Sequence, residues 1–587
     1  MQRHNRRLMN NTRPRLRTRV WILVLGMALL RTAAGSAQAQ SSQHLSMLQP
    51  GGMPGLPIIT GITQVTNGVN VTWDGPAGYY QLFQKRSFAD PTWQALGTAF
   101  NLTNNETITE LSSNAFFRVS GPSPQYAGAQ VCAECHAEVL NTVVHTAHFG
   151  AFTNALFAAQ GGQTNGSCLA CHTVGYQLPS GFLSQSATPQ LAGVQCENCH
   201  GPAANHAANP GDPSVRPRVE VAGTMCGGCH NAQSVPSVAA SYHPPYYEEW
   251  SASPHQSVLP ELKADFTSNP NVYISTCGRC HSGTVREAFL ENELLPDAQE
   301  ASVVGIACAT CHDPHEQAVY TNVLSGVITN PVTGVVVTNG PAGSTYTTQL
   351  RNPLSSLQDY HVTGDFTTNY NPAINVCAQC HNDRGASYKD TSRSPHHSPQ
   401  YNMLIGTVGV LDSSNPDVPH FEPASHAMFI TNQCVGCHMQ TAPFQSPAQP
   451  AHAGHGFVVN SYAVCAQCHG SFANASNAVI FVQGLFTNRI QEVQTDLNQW
   501  ATSKAPALLG TTNYGTRAWE YTTPGELSPG GPGPSAAQQA QIPLNIKMAR
   551  FNLYLVYHDG SLGVHNPLYS LTLLDTAQSL VQAELSP

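Results

Sequence analysis

Eighteen cysteines fall into nine Cys-x-x-Cys-His runs, and no cysteine lies outside them. The runs are Cys132/Cys135/His136, Cys168/Cys171/His172, Cys196/Cys199/His200, Cys226/Cys229/His230 and Cys277/Cys280/His281, then Cys308/Cys311/His312, Cys377/Cys380/His381, Cys434/Cys437/His438 and Cys465/Cys468/His469. Two thiols three residues apart can add across the two vinyl groups of one haem, and the following imidazole reaches the iron as its proximal ligand. Zinc sites also use Cys-x-x-Cys, but they need ligand pairs and no histidine directly after the second cysteine. Disulfides leave the histidine unexplained. Nine coincidental histidines have odds on the order of 10⁻¹² at the histidine content of this chain. The sequence therefore predicts nine covalently bound haem c groups.

Each iron needs a sixth ligand or an open face. Besides the nine motif histidines, thirteen histidines lie between residues 145 and 455. A lone histidine is more often a surface or core residue, but nine irons reverse that prior. The distal candidates are His145, His148, His206, His255, His315, His361, His396, His426, His452 and His455. His315 closes the run Cys-His-Asp-Pro-His, and His255 and His396 share a Ser-Pro-His context. His145 and His148 are three apart, on one face of an expected helix. Met439 is the alternative to a histidine ligand.

The first 39 residues carry eight arginines and no acid, then an apolar run from Val20 to Leu30 and the small-residue site Ala37-Gln38-Ala39. This pattern predicts a cleaved secretory signal peptide over 1–39, because eleven apolar residues are too few to span a bilayer. Gln40 is not the cysteine of a lipoprotein anchor, and no later run is long enough for a transmembrane helix. The expected product is exported, periplasmic or extracellular, which is where haem is attached. Removal of 1–39 leaves 17 basic against 34 acidic side chains, a net charge of −17. That charge argues against nucleic acid and suits redox partner proteins with basic surfaces. An oligomer is compatible with the sequence.

The fold class expected is a mostly irregular and α-helical multihaem cytochrome organised around stacked haems, with a small β-sandwich before it and a helical region after it. Residues 40–56 read as a flexible leader. Residues 57–122 hold no cysteine and alternate as strands at Val69–Trp73 and Tyr80–Gln84, with Trp73, Trp93 and Phe117 for a core. They resemble a fibronectin type III module. Residues 123–470 form the nonahaem domain, with four motifs in 132–230 and five in 277–469; 320–350 read as an inserted hairpin. In 471–587, Val479, Val482, Phe486, Ile490, Val493, Leu497 and Trp500 step by three or four and make one apolar helix stripe. A Pro/Gly-rich loop spans 524–534. A helical pair brackets Asp559-Gly560-Ser561, with Pro567 opening the last helix.

Residues 126–255 resemble the cytochrome c-554 type of tetrahaem cytochrome. The features are Val131-Cys-Ala-Glu-Cys-His136, Cys168-Leu-Ala-Cys-His-Thr-Val-Gly175, Cys196-Glu-Asn-Cys-His-Gly-Pro202 with His206, and Trp250-Ser-Ala-Ser-Pro-His255. The resemblance implies closely stacked, mostly bis-histidine haems acting as an electron relay, with an open distal face at one of the first four; chain order points to the second, at His172. The tail Gly563-Val-His565-Asn-Pro567 is loosely similar to tails of octahaem hydroxylamine oxidoreductases and pentahaem nitrite reductases, although the chain has no Cys-x-x-Cys-Lys run. The expected function is electron transfer rather than catalysis, so no catalytic residue is assigned. The alternatives are an oxidoreductase for hydroxylamine, nitrite or tetrathionate, and a subunit of an extracellular conductive assembly. The mature protein should exceed its polypeptide mass by nine haem masses; six or fewer by mass spectrometry of fully matured protein refutes the motif reading.

Overall fold

The computed structural model describes residues 57–586 apart from intervening stretches, the longest being 233–242, 352–375 and 507–518. The signal segment, the leader, His361 and part of the 524–534 loop lie outside the described residues. The chain divides into two compact units, Met1–Glu220 with Gly227–Cys229, and Val221–Cys226 with His230–Pro587. The division passes through the fourth motif and not after it. Local bonds explain this: the His230 carbonyl accepts the Tyr247 N–H, and Cys226 hydrogen-bonds Cys308, so both ends of the fourth motif are tied to chain beyond residue 240.

The first unit begins with six strands: β1 (Ile58–Val65), β2 (Gly68–Asp74), β3 (Tyr80–Lys85), β4 (Gln94–Asn101), β5 (Asn105–Ile108) and β6 (Phe116–Ser120). They form two antiparallel sheets of order β1-β2-β5 and β4-β3-β6. Val71, Trp73, Tyr80, Leu82, Ile108 and Phe117 from both sheets share one buried cluster. The period-2 alternation of β2 and β3 supplies its residues. Trp93 does not join it. It is half-buried under Lys85 and Arg118, whose charged groups lie 5.2 and 5.0 Å from its ring centre. Such cation–π cover keeps an indole edge in water.

The first three motifs come next, around Phe152, Leu169, Val174, Phe182 and Leu191. The helix Ala129–Val143 carries the first motif and is kinked at His136. It ends before His145 and His148, which lie in the turns after it and not on the expected helix. Thr146 Oγ bonds back to the Val143 carbonyl at 2.7 Å and takes the acceptor that a continuing helix would use.

In the second unit, the insert between the sixth and seventh motifs is paired strand, Ala318–Thr321 with Thr345–Thr348 and Val327–Thr329 with Val336–Thr338. Its exit is pinned by Arg351, only 8% exposed. The guanidinium reaches Glu287 at 2.6 Å, Glu291 at 2.7 Å and Asp313 at 3.5 Å, and Nε donates to the Ala309 carbonyl at 2.7 Å. The Arg351 N–H donates to the carbonyl of Cys311, so one residue anchors the sixth motif twice.

The apolar stripe forms one helix, Phe472–Lys504, with Phe486, Ile490, Val493, Leu497 and Trp500 buried. It packs with Leu544–His558 and Pro567–Leu585 around a core that includes Met403, Val408 and Val410. Asn552 clamps residue 410: its Oδ1 accepts the Val410 N–H and its Nδ2 donates to the Val410 carbonyl, both at 2.8 Å. Tyr569 Oη donates to the Val408 carbonyl at 2.7 Å. No helix among the described residues is long and apolar enough to cross a membrane.

Removing the cation of a buried cluster leaves carboxylates uncompensated and costs about 3–5 kcal/mol. Arg351→Met should therefore lower the unfolding free energy of the haem-loaded protein by about that amount in a denaturant titration. A loss below about 1 kcal/mol would mean that the Arg351 cluster does not anchor the sixth motif.

Candidate haem-ligating site

Most of the motifs sit on short helices that end at or next to the ligating histidine: Gly166–His172, Cys196–His200, Gly278–His281, Gln433–His438 and Ala463–His469, with His312 just after Cys308–Cys311. Residues three apart on a helix share a face, so the two sulfurs of each motif point the same way. Among the described residues no disulfide joins the cysteines, and none of the eighteen is fully buried. Free cysteine is ordinarily among the most buried residue types. Sulfurs left accessible inside a fold fit attachment to a group that covers them.

Cys135 is exposed, and the other seventeen cysteines are half-buried. Cys171, Cys199 and Cys468 are each the last residue but one of their helices, and Cys135 directly precedes the kink at His136. A continuing regular turn does not enclose any of the four. Their thioether role therefore rests on the motif spacing.

The third motif stitches the first unit together through its two spacer residues. Glu197, 3% exposed, accepts the backbone N–H groups of Gly128 and Ala203 at 2.8 Å and of Ala127 at 3.0 Å. Ala127 and Gly128 lead into the helix of the first motif, where a carboxylate satisfies orphan donors and complements the helix dipole. Asn198 donates to the carbonyl of Thr173, the residue after the second motif, at 2.9 Å. Cys132 and Cys196, from the first and third motifs, hydrogen-bond each other. The Cys-x-x-Cys-His pattern leaves both spacers unspecified, so it carries no signal of this role.

In the second unit five motif imidazoles each face a histidine from elsewhere in the chain. The ring centroids are 6.2 Å apart for His255 and His381, 6.0 Å for His281 and His396, 6.2 Å for His312 and His455, 6.3 Å for His426 and His469, and 6.2 Å for His438 and His565. A metal-bound imidazole nitrogen lies about 2.0 Å from the metal with its ring centre about 1.1 Å beyond, so two imidazoles on opposite faces of one iron place their centroids about 6.2 Å apart. The five gaps fit that requirement. None of the ten rings is fully buried, as expected of side chains covered by a prosthetic group.

The electrostatics at six of the ten rings suit ligation, which needs neutral imidazole; at His565 burial works downward but the Asp559 carboxylate outweighs it and raises the pKa. Burial pushes His255 down to about 4, helped by His381 and His281. Burial, with Arg384 and His281, pushes His396 down to about 3. Burial also lowers His281, His381, His426 and His438.

Of the sequence candidates, His255, His396, His426 and His455 face motif rings. His452 is exposed, with its Nδ1 3.3 Å from Glu249. His315 is exposed, and its backbone N–H donates to Asp313 Oδ1 at 2.8 Å. His145 is exposed. Burial lowers the pKa of His148. His206 has a buried Nδ1 with no hydrogen-bond partner. Met439 packs its backbone against Gly454, whose φ is +75° and whose added Cβ would stand 2.5 Å from the Met439 carbonyl carbon. His565 is outside the sequence candidates; its signal is the run Gly563-Val-His565-Asn-Pro567, which lies beyond the last motif. At His172 the flat neighbour is Phe157, stacked at 4.1 Å and 10°. Phe157 is a second residue that the sequence does not single out. Gly162 permits its position, since an added Cβ would lie 2.3 Å from the ring.

The family described as Cytochrome c554 and c-prime matches residues 131–201 and 225–313. The multiheme cytochrome MtrA of Shewanella baltica is 27% identical over 161 residues, 25% of this chain and 45% of that protein. Cytochrome c-554 of Nitrosomonas europaea is 29% identical over 93 residues, 14% of this chain and 40% of that protein. The chain thus spans less than half the length of these relatives. Among solved structures, Outer Cell Wall Cytochrome OcwA is similar at a TM-score of 0.46 and 18% identity, covering 78% of this chain and 100% of that one. The undecaheme cytochrome from the S-layer of Carboxydothermus ferrireducens is similar at 0.43 and 18%, covering 79% and 70%.

A Glu197→Ala change would strand several buried donors, each costing about 1–3 kcal/mol. It should destabilise the haem-loaded protein by about 3 kcal/mol or more in denaturant, with Glu197→Gln costing less. Equal stability of Glu197→Ala and the parent would show that water replaces the carboxylate.

Proposed function

We propose that this multihaem c-type cytochrome is an exported electron relay that holds nine haem c groups, one on each Cys-x-x-Cys-His run. The observation that carries the reading is the uniform gap of 6.0–6.3 Å in the five facing imidazole pairs. In this reading His381/His255, His281/His396, His312/His455, His469/His426 and His438/His565 are the axial pairs of the seventh, fifth, sixth, ninth and eighth haems. His136, His172, His200 and His230 are the proximal ligands of the first four haems, and His145, His148, His206 and His315 remain distal candidates. Cys135, Cys171, Cys199 and Cys468 take the second thioether of the first, second, third and ninth haems, at sites open enough for the macrocycle to cover them. An iron with imidazole on both faces exchanges electrons and has no position for substrate.

Contacts between motifs support a continuous path within the second unit. The sulfurs of Cys226 and Cys308, of Cys280 and Cys380, and of Cys377 and Cys434 are neighbours. Neighbouring sulfurs bring the edges of their haems together, which is what rapid transfer between them needs. The two sheets with their common core are read as the sandwich module over 57–122, separate from the haem region and suited to attachment or spacing. Export, and docking to redox partners through an acidic surface, follow from the signal segment and the charge.

The one departure proposed is the second haem, where the resemblance to the tetrahaem cytochromes supports an open distal face; Phe157 stacks on the flat face of the His172 ring and so packs the proximal side. A small ligand such as nitric oxide could reach an iron there. Catalysis would also need acids and donors placed around the bound molecule.

Spin-state counting tests the reading. Electron paramagnetic resonance and magnetic circular dichroism of the oxidised protein should show low-spin haem throughout, with at most one high-spin centre. Ala at His255, His396, His426, His455 or His565 should convert one haem each to high spin. Three or more high-spin haems in the parent protein, or unchanged spectra in all five variants, would overturn the pairing. Steady-state turnover of hydroxylamine, nitrite or tetrathionate at about 10 per second or more would replace the relay by an oxidoreductase.

A further inference from the structure

The five non-motif imidazoles that face motif rings differ in what holds their Nδ1. His255 Nδ1 is buried without a partner. His396 Nδ1 meets Ser398 Oγ at 3.1 Å, His426 Nδ1 the Val564 carbonyl at 3.2 Å, and His455 Nδ1 the Ala453 carbonyl at 2.9 Å. His565 alone of the five meets a carboxylate, Asp559 Oδ1, at 2.6 Å. The Asp559 side chain is 1% exposed.

The carboxylate is built in at some cost. Asp559 caps the C-terminal end of the helix Leu544–His558, where the dipole disfavours negative charge. The turn that returns to His565 takes positive φ at Gly560, Leu562 and Gly563. A Cβ at Gly563 would stand 2.2 Å from the Phe486 ring, so glycine is required there. Ser561 Oγ donates to Asp559 Oδ2 and accepts the His565 N–H at 3.1 Å. The turn therefore fixes the carboxylate and the imidazole against one another. Its Val564 carbonyl holds His426 as well, so one turn supports the rings facing both His438 and His469.

We infer that Asp559 is a positioning residue that makes His565 a strongly basic axial ligand and so gives the eighth haem, on Cys434, Cys437 and His438, the lowest reduction potential of the five paired haems. The inference rests on the axial pairing proposed above. A carboxylate that accepts the Nδ1 proton gives the imidazole imidazolate character and raises its basicity toward the metal. A more basic ligand stabilises ferric over ferrous iron, which lowers the potential. The eighth haem then stands as an uphill step, and Cys377–Cys434 contact makes the seventh its neighbour. Such a step slows passage through the chain in both directions.

The test uses the full haem-loaded protein. Haem content is counted by mass, potentials by spectroelectrochemical titration, and the ligand field by low-spin electron paramagnetic resonance. Asp559→Asn should leave nine haems and shift one reduction equilibrium at least tenfold toward ferrous iron, about 59 mV for one electron. One low-spin signal should change with it, and Asp559→Glu should restore part of the shift. Ser561→Ala, which strips a donor from the carboxylate, should move the same haem the opposite way. Nine unchanged potentials in Asp559→Asn, a lost haem, or shifts of the same sign in Asp559→Asn and Ser561→Ala would overturn the inference. His565→Ala tells the two readings apart: if it creates no high-spin haem, the axial pairing has failed, whereas a high-spin haem there with unmoved potentials in Asp559→Asn refutes the role of Asp559 alone.

Discussion

A gap of about 6 Å between two imidazoles is the constraint on which most of the second unit depends. Two rings at that separation gain little from each other, so a bare polypeptide has small reason to hold them there. The rest of the chain must carry those rings at fixed separation. The segment 395–426 does so by docking on the helical bundle. His558 Nδ1 donates to the Pro395 carbonyl at 2.6 Å, just before His396. Asn552 and Tyr569 hold residues 408–410. Asn566 donates to the Glu422 carbonyl at 2.8 Å, four residues before His426. Each bond fixes backbone close to a facing histidine. The bundle has no Cys-x-x-Cys-His run of its own, yet it positions rings for at least three haems of the proposed set.

This division of labour explains the low content of charged and aromatic residues. The apolar core is concentrated where helices pack, around Leu497, Trp519 and Leu553. Around the motifs the clusters are small, such as Val258, Phe266, Ile274, Val285 and Ala301. A chain of this size builds a larger core unless another apolar body fills its interior. Haem macrocycles are that body in the proposed reading. Buried polar anchors then replace lost packing: Glu197 in the first unit and Arg351 in the second each tie a motif to distant backbone.

The parts legible in the sequence are those whose chemistry is local. Thioether attachment uses residues within five positions, so all nine motifs stand out. How far each sulfur is covered is not local, and Cys135 at its helix kink lies more open than the motif alone suggests. The helix stripe from Val482 to Trp500 and the alternation of β2 and β3 are equally readable, because burial on one face imposes a period. The facing pairs are not, since their members lie between 43 and 143 residues apart. Nothing in the neighbourhood of His455 points to His312; the His455 loop is held by Glu249, which accepts the N–H groups of Ala453 and His455 at 2.9 and 2.8 Å. His565 escapes notice for a related reason: a boundary drawn after the last cysteine separates it from His438. The expected helix through His145 and His148 fails on a competition within three residues, where Thr146 takes the Val143 carbonyl.

Whether such a chain conducts or catalyses is decided by the distal side of each iron. In the proposed reading, imidazole pairs close both faces of five irons, which then differ only in potential. Their Nδ1 partners already grade that property, from none at His255, through hydroxyl or carbonyl at His396, His426 and His455, to carboxylate at His565. A catalyst would show another pattern, with one open iron surrounded by acids and donors. Phe157 stacks on the face of the His172 ring, and Phe152 and Phe182 extend that apolar cluster behind it. Polar groups in that part of the unit are used for structure, as with Asn198 on the Thr173 carbonyl. In the proposed reading the second unit thus grades electron affinity from haem to haem through these Nδ1 partners.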